Sequence, residues 1–293
     1  MSETPAVVSP PPAPTRKRRL WGWIVRVAVV YLGVCIVLMF LENTMLYRPY
    51  KDTDSWQPPP PGLAVEDVWV ETTDGTRIHG WYFPKEGATG ALLYCHGNAG
   101  NLSHRGPAVP ELMNVLDESV LLFDYPGYGK SAGKPSEAGC YAAGDAVYDW
   151  LTQTKQVPGE RITLFGKSLG GGIATDLAVR RPHRALVLVR AFTSIPDMAQ
   201  SQFPFLPARW LVRNKFDNLE KIARCPKPVA VAAGDCDTLI PWWMGEKLYA
   251  AANEPKWFYR MAGCGHNDAF PPDFLTGLAD FLKHSAPCKL VSR

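Results

Sequence analysis

The chain has 293 residues, of which 46% are hydrophobic, so it is long enough for one large domain with a sizeable core and an appendage. Its formal net charge of +3 is too small to indicate a nucleic-acid-binding protein. Its seven cysteines show neither C-x-x-C spacing nor a Cys/His metal pattern. They are interpreted as small buried side chains, with a disulfide among the last four left open.

The N-terminal part is predicted to lie outside the main domain. Residues 1–19 form a disordered tail that is rich in proline and ends in four basic residues. Residues 20–41 are long and apolar enough to span a bilayer as a single transmembrane anchor. By the positive-inside rule, the N-terminus is cytoplasmic and everything after the span lies on the non-cytoplasmic side. A cleaved signal peptide is the alternative interpretation.

Three further regions follow the span. Residues 42–64 are proline-rich and are predicted to be a stiff linker that holds the domain off the bilayer. Residues 65–285 show a regular pattern and are predicted to be the catalytic domain, with a C-terminal tail at 286–293. The domain begins with a β-hairpin around Asp74-Gly75.

Strands and helices then alternate along the rest of the domain. This order predicts an α/β fold with a mostly parallel, doubly wound sheet and helices on both faces. Strands are predicted at 90–97, 120–124, 162–165, 184–192, 227–234 and 256–263, and helices at 104–117, 137–154, 169–181, 242–252 and 271–284. Residues 193–225 form the one long irregular connection and are interpreted as a small lid, whose aromatic residues either line a pocket or pack on the domain.

The stretch "GKSLG" (166–170) passes from an apolar strand into a helix with almost no loop. A turn this tight forces Ser168 into a strained backbone conformation, and the two glycines let strand and helix approach closely. This is the G-x-S-x-G nucleophile elbow in its expected strand–turn–helix context. Ser168 is therefore the candidate nucleophile.

A serine nucleophile needs a base and an orienting acid, which in this architecture follow the carboxyl ends of strands. His266 follows the last strand between glycines and is the candidate base. Asp235 and Asp237 both follow the strand ending at Gly234, and either is a candidate acid. Asp124 is the runner-up position and is more simply explained by hydrogen bonds to its own loop.

Two backbone N–H groups are needed to stabilise an oxyanion. Leu169, directly after the serine and at a helix start, supplies one. The loop "HGNAGN" (96–101) supplies the other, with Asn98 as the first candidate and Ala99 as the second. His96 is interpreted as a brace for this loop.

At this point the chain resembles the α/β-hydrolase superfamily, and within it the membrane-anchored bud-emergence-type proteins and the α/β-hydrolase-domain depalmitoylases. The motifs that carry the resemblance are spread over residues 65–285 and are "YCHGNAGN", "DYPGYGKS", "GKSLGG", "AFTS", "FPFLP", "GDCDTLIP" and "GCGHND". The resemblance implies a triad of Ser168, Asp237 and His266. It implies oxyanion donors at Asn98 and Leu169.

The resemblance also implies an esterase, thioesterase or related acyl hydrolase that needs no cofactor or metal. Arg190 departs from the family, because relatives often have an acidic residue there. The expected partners are a small-molecule or lipid acyl-ester substrate and the membrane, but no nucleic acid, and the oligomeric state is left unassigned. Two alternatives stay open: a serine peptidase with the same triad, and a non-catalytic membrane-tethered binding protein.

Overall fold

The computed structural model describes residues 16–285, so the predicted C-terminal tail and all but the last four residues of the predicted N-terminal tail lie outside the described residues. The chain divides into two units, Met1–Leu41 and Glu42–Arg293. Among the described residues, one helix, Arg16–Leu46, has the length and apolar composition needed to cross a membrane. It begins four residues before the predicted span and ends five residues after it.

The bounds of the regular elements follow the predicted alternation. The strands are β1 (Arg48–Pro49), β2 (Glu66–Glu71), β3 (Arg77–Phe83), β4 (Ala91–Cys95), β5 (Ala99–Gly100), β6 (Ser119–Phe123), β7 (Ile162–Lys167), β8 (Ala185–Val189), β9 (Val229–Gly234) and β10 (Lys256–Met261). The helices are α1 (Arg16–Leu46), α2 (Val109–Leu116), α3 (Glu137–Asp149), α4 (Gly170–Arg180), α5 (Ile195–Gln202), α6 (Ala208–Leu211), α7 (Asn218–Ile222), α8 (Trp242–Ala251) and α9 (Pro272–His284).

Eight strands form one sheet in the order β10-β9-β8-β7-β4-β6-β3-β2. The hairpin strands β2 and β3 are antiparallel to each other, and β3 is antiparallel to β6. All other pairs in this sheet are parallel. The sheet is therefore mostly parallel with an antiparallel edge, as the alternating pattern predicts.

The sheet is covered on both faces. Helices α3, α4, α7 and α8 contribute buried side chains to the core on one face, and α2 and α9 contribute to the core on the other. The central strands β4, β6, β7, β8 and β9 are almost wholly buried, which explains why they read as continuous apolar runs. Their carboxyl ends meet at one edge of the sheet.

Proline interrupts one predicted helix. The stretch predicted as a helix at 104–117 is a 3₁₀ helix, Leu102–Ala108, followed by α2, with Pro107 inside the 3₁₀ segment and a second proline in the first turn of α2. Proline lacks the N–H that an α-helix needs in its interior but fits the first turn of a new helix.

The cysteine interpretation holds in part. Cys95, Cys140 and Cys225 are buried, but Cys236 is exposed and Cys264 is partly exposed. The described members of the last four cysteines carry free thiols, and Cys288 lies outside the described residues.

Residues 42–51 behave differently from the spacer that the proline content predicts. Strand β1 pairs in parallel with β5, which belongs to the "HGNAGN" loop. Tyr50 donates its N–H to the carbonyl of Gly100 at 3.2 Å and accepts from the N–H of Gly129 at 2.9 Å. This part of the chain is thus packed on the domain.

Candidate active site

Ser168 lies between the end of β7 and the start of α4 in a strained conformation. Its φ is +54°, in the left-handed region that non-glycine residues seldom adopt. Gly170 makes the tight turn feasible, since a Cβ there would lie only 1.9 Å from the carbonyl oxygen of Cys95. The helix start can approach strand β4 this closely only with glycine.

Three side chains from separate strand ends meet in one hydrogen-bonded chain. The Oγ of Ser168 lies 3.0 Å from Nε2 of His266. The Nδ1 of His266 lies 2.7 Å from Oδ2 of Asp237. Asp237 follows β9 and His266 follows the neighbouring parallel strand β10, which explains their proximity despite 29 positions between them. With Nδ1–H donating to the carboxylate, Nε2 is free to accept the serine proton.

The carboxylate of Asp237 is fixed on both of its oxygens. Its Oδ1 accepts from the backbone N–H groups of Leu239 at 2.9 Å and Ile240 at 2.8 Å. Burial alone would raise the pKa of Asp237, but the hydrogen bonds from His266, Ile240 and Leu239 outweigh it and lower the pKa. The group is therefore ionised and oriented toward the imidazole at neutral pH.

Asp235, the other candidate acid, has a different position. Its Oδ1 accepts from the N–H of Gly263 at 2.7 Å, and its Oδ2 lies 3.3 Å from Nε of Arg260. It joins the loops after β9 and β10 without contacting the histidine.

The two predicted oxyanion donors are both available. Neither the N–H of Asn98 nor that of Leu169 has a hydrogen-bond acceptor among residues 16–285. The loop of Asn98 lies beside Ser168, because a Cβ built on Gly97 would be 4.0 Å from Oγ of Ser168. Leu169 is the N-cap of α4, and backbone N–H groups at a helix start lack partners within the helix and can bind an anion.

The side chain of Asn98 holds its loop in place. Its Oδ1 accepts from the N–H of Arg48 at 3.0 Å and from the hydroxyl of Tyr128 at 2.9 Å. Ala99, the second candidate, is instead part of strand β5. Asn98 thus carries the N–H that remains unpaired beside Ser168.

Asp124 and His96 belong to the support of this same loop. Oδ1 of Asp124 accepts from the N–H of Leu102 at 2.8 Å and lies 3.4 Å from Nε2 of His96. The hydroxyl of Tyr125 donates to the carbonyl of His96 at 2.6 Å. Asp124 is bound to the predicted "DYPGYGKS" loop through its backbone carbonyl, which accepts from Ser131.

Arg190 has a structural role that the sequence did not reveal. Its guanidinium is buried, and Nη1 donates to the carbonyl oxygens of His266 at 3.0 Å and Asp268 at 2.6 Å. Arg190 also has a positive φ of +50°, directly after β8. The guanidinium of Arg190 therefore holds in place the loop that carries His266. The one signal in the sequence is that a basic residue precedes "AFTS", where relatives often have an acidic residue.

Lys167 is the last residue of β7 and directly precedes Ser168. Burial, together with the neighbouring guanidinium groups of Arg190 and Arg105, lowers the pKa of Lys167 to about 8. No group of three or more His, Cys, Asp or Glu side chains suited to a metal ion occurs within the described part of the chain.

Comparisons with known proteins identify relatives that have the α/β-hydrolase fold. A family model described as alpha/beta hydrolase fold matches residues 90–219. An uncharacterized protein of Mycobacterium tuberculosis, Rv2307c, is 42% identical over 86% of this chain and 88% of its own length. The alpha/beta hydrolase domain-containing protein WAV2 of Arabidopsis thaliana is 32% identical over 76% of this chain and 79% of its own. Bem46 of Schizosaccharomyces pombe is 33% identical over 65% of this chain and 66% of its own.

Solved structures share the fold at lower identity. The Pyrococcus furiosus esterase Pf2001 superposes with a TM-score of 0.67 at 19% identity, covering 82% of this chain and 98% of that one. An acetyl xylan esterase from Paenibacillus sp. R4 has a TM-score of 0.62 at 21% identity, covering 79% and 87%.

Proposed function

The chain belongs to the α/β-hydrolase family, and we propose that it is a serine hydrolase that cleaves carboxylic ester or thioester bonds through an acyl-enzyme intermediate. The observation that carries this proposal is the continuous hydrogen-bonded chain from Ser168 through His266 to Asp237. Two unpaired backbone N–H groups, those of Asn98 and Leu169, support it further.

The geometry suits a two-stage acyl transfer. Oγ of Ser168 attacks the acyl carbonyl while Nε2 of His266 accepts the hydroxyl proton. The carbonyl oxygen becomes an oxyanion facing the N–H groups of Asn98 and Leu169, each worth roughly 10²–10³ in rate in comparable sites. When the carbonyl re-forms, the bond to the alcohol or thiol breaks, and His266 gives that group its proton.

Water completes the cycle. It donates a proton to His266 as it adds to the acyl carbonyl. The bond to Oγ then breaks, the serine oxygen recovers the proton from His266, and the carboxylic acid leaves. The net reaction consumes one ester and one water and forms one acid and one alcohol or thiol. Asp237 stays ionised throughout and stabilises the imidazolium.

Ester chemistry is favoured over peptide cleavage by the named activities of two structural neighbours, both esterases. A non-catalytic role is disfavoured because a retired site would be expected to lack at least one member of the constellation. Fold alone does not establish activity.

The substrate range is tested with the purified full-length chain in detergent. We expect hydrolysis of p-nitrophenyl acyl esters of graded chain length and of an acyl thioester, and little hydrolysis of matched p-nitroanilides. Cleavage of anilides at rates equal to the esters would favour the peptidase alternative. Absence of any turnover across the panel would favour the binding protein.

We also propose that α1 anchors the protein in a membrane with its basic N-terminal end in the cytoplasm. The asymmetry of charge supports this orientation, because four basic residues precede the apolar run and Glu42 follows it. A C-terminal alkaline phosphatase fusion should be active and a fluorescent-protein fusion of the type that matures only in the cytoplasm should be dark. The reverse pair of signals would contradict the orientation.

A further inference from the structure

The lid exposes large aromatic side chains. Phe205 and Trp210 are 89% and 88% exposed, and Phe203 is 44% exposed. These three residues form the lid tip: Phe203 and Phe205 follow the end of α5, and Trp210 lies in α6. The sequence offered two roles for lid aromatics, lining a pocket or packing on the domain, and Trp210 is too exposed for either role. Apolar area of this kind on a protein surface is costly in water and marks a contact with another apolar phase or partner.

The base of the lid is bound to the residues that directly follow the apolar span. The buried carboxylate of Glu42 accepts from the N–H of Arg213 at 2.9 Å, the N–H of Asn214 at 2.7 Å and the side-chain amide of Asn214 at 2.8 Å. The same amide donates to Asn43 at 2.9 Å, and the hydroxyl of Tyr47 donates to Asn214 at 2.8 Å. This cluster ties lid residues to chain positions one to six residues after Leu41.

The oxyanion loop is bound to the same stretch of chain. Arg48 donates its N–H to Oδ1 of Asn98 at 3.0 Å, and β1 pairs with β5. The lid base and the oxyanion loop therefore both contact residues 42–50. Residues 42–46 are the last residues of α1, the helix whose length and composition would let it cross a membrane.

The charges of the lid match a bilayer interface. Arg209 directly precedes Trp210 of the lid tip, and Arg213 and Lys215 follow it. The first two are largely exposed although each has an acidic neighbour, Asp197 and Glu42 respectively. Aromatic and basic side chains side by side are typical of segments that lie at the headgroup level of a membrane.

We propose that the lid tip inserts into the bilayer interface, so that the site receives its acyl ester from the membrane rather than from solution. The docking surface is formed by the lid-tip aromatics, and the partner is a lipid surface. The consequence for substrate choice rests on the hydrolase function proposed above. The docking of the lid tip at a membrane does not depend on that function.

Insertion of Trp210 into the bilayer is measured with the full-length chain reconstituted into phosphatidylcholine vesicles. The acyl chains of these vesicles carry bromine, which quenches the fluorescence of nearby tryptophans. Trp210→Phe should lower the quenched fraction of emission relative to the unsubstituted protein. Trp69→Phe is the matched control, because Trp69 is also partly exposed but lies on the edge strand β2. It should leave the quenched emission intact. A quenched fraction equal in the Trp210→Phe variant and the unsubstituted protein overturns the docking.

Activity is measured on two substrates in the same vesicles: a soluble p-nitrophenyl acetate and a long-chain fluorogenic ester dissolved in the bilayer. The double variant Phe205→Ser and Trp210→Ser should keep soluble-ester hydrolysis and lose roughly tenfold or more on the bilayer ester, or about 1.4 kcal/mol. Trp69→Ser should keep both. Equal retention of both activities by the double variant overturns the inference on substrate delivery.

The outcomes separate the two proposals. An unsubstituted protein that hydrolyses neither ester but shows Trp210-dependent quenching refutes the hydrolase and supports the docking. Hydrolysis of the soluble ester without Trp210-dependent quenching supports the hydrolase and refutes the docking. A second copy of the chain covering the lid tip would give a cross-linked dimer with no such quenching, which also refutes it.

Discussion

Replacement of Asp237 by asparagine tests the site most stringently, because it changes charge without changing shape. The amide oxygen can still accept from Leu239 and Ile240, which lie 2.9 and 2.8 Å from Oδ1. The amide nitrogen then faces Nδ1 of His266, 2.7 Å from the position of Oδ2. Two donors cannot share one bond, so the imidazole adopts the tautomer protonated on Nε2. That tautomer cannot accept the proton of Ser168.

The Asp237→Asn variant is expected to have a much lower kcat. In other enzymes with this triad the same change lowers kcat about 10⁴-fold, or about 5.4 kcal/mol of activation free energy. The matched control is Asp235→Asn, since that carboxylate contacts Gly263 and Arg260 rather than the histidine. We expect it to keep its activity within about threefold, as for a surface ion pair.

The pH dependence of stability follows from the lowered pKa of Asp237. A carboxyl whose folded pKa is below its unfolded value of about 3.9 stabilises the fold above that pH, and the stabilisation is lost as the pH falls through the folded pKa. The asparagine variant lacks this contribution at every pH. The difference in Tm between the two proteins should be constant near neutrality and shrink below about pH 4.

The assay is p-nitrophenyl acetate hydrolysis by each variant over a pH range, with thermal unfolding followed by circular dichroism. Loss of activity in Asp235→Asn equal to that in Asp237→Asn would refute the assignment of the acid. Full activity of the Asp237→Asn variant would refute the triad as a whole.

Three further predictions concern the surroundings of the site. Glu42→Ala leaves buried N–H groups at the lid base without an acceptor and should lower Tm in detergent by about 5–10 °C; a shift near zero would show that the cluster does not hold the lid. Gly170→Ala should fail to give a monodisperse folded protein, because the added Cβ would lie 1.9 Å from a carbonyl oxygen of β4. Gly265→Ala is the control and should fold, because the atom nearest to its added Cβ is 3.6 Å away. Equal elution profiles of the two variants in size-exclusion chromatography would contradict this prediction. Arg190→Met should lower kcat by about a hundredfold with little change in KM, because the loop that carries His266 loses its hydrogen bonds. Arg190→Lys should restore part of the lost kcat. An unchanged kcat in Arg190→Met would show that the contact between Arg190 and this loop has only a structural role.

Local patterns were sufficient to predict the fold and the elbow. The elbow is encoded within five residues: Gly166 is required where β7 meets α4, and Gly170 where α4 meets β4. The alternation of apolar strands and helices determined the parallel sheet, since central strands buried on both faces read as unbroken apolar runs. Helix bounds were less accurate where proline splits one predicted helix into a 3₁₀ segment and α2.

Contacts between distant residues were beyond the reach of sequence pattern. The proline-rich stretch after the span was expected to be a spacer, yet Arg48 pairs with Asn98 across 50 positions, and Glu42 bonds Asn214 across 172. Nothing local in either segment indicates its partner. The same applies to Arg190, whose hydrogen bonds to the histidine loop span 76 and 78 positions.

The proposed mechanism requires Ser168 to act as the nucleophile, and covalent labelling with a fluorophosphonate measures this directly. The full-length protein should take up one label, which mass spectrometry should locate on Ser168, and the Ser168→Ala variant should take up none. Ser201→Ala, which removes an exposed serine from α5, should label as the unsubstituted protein does. Undiminished labelling of Ser168→Ala would contradict the account.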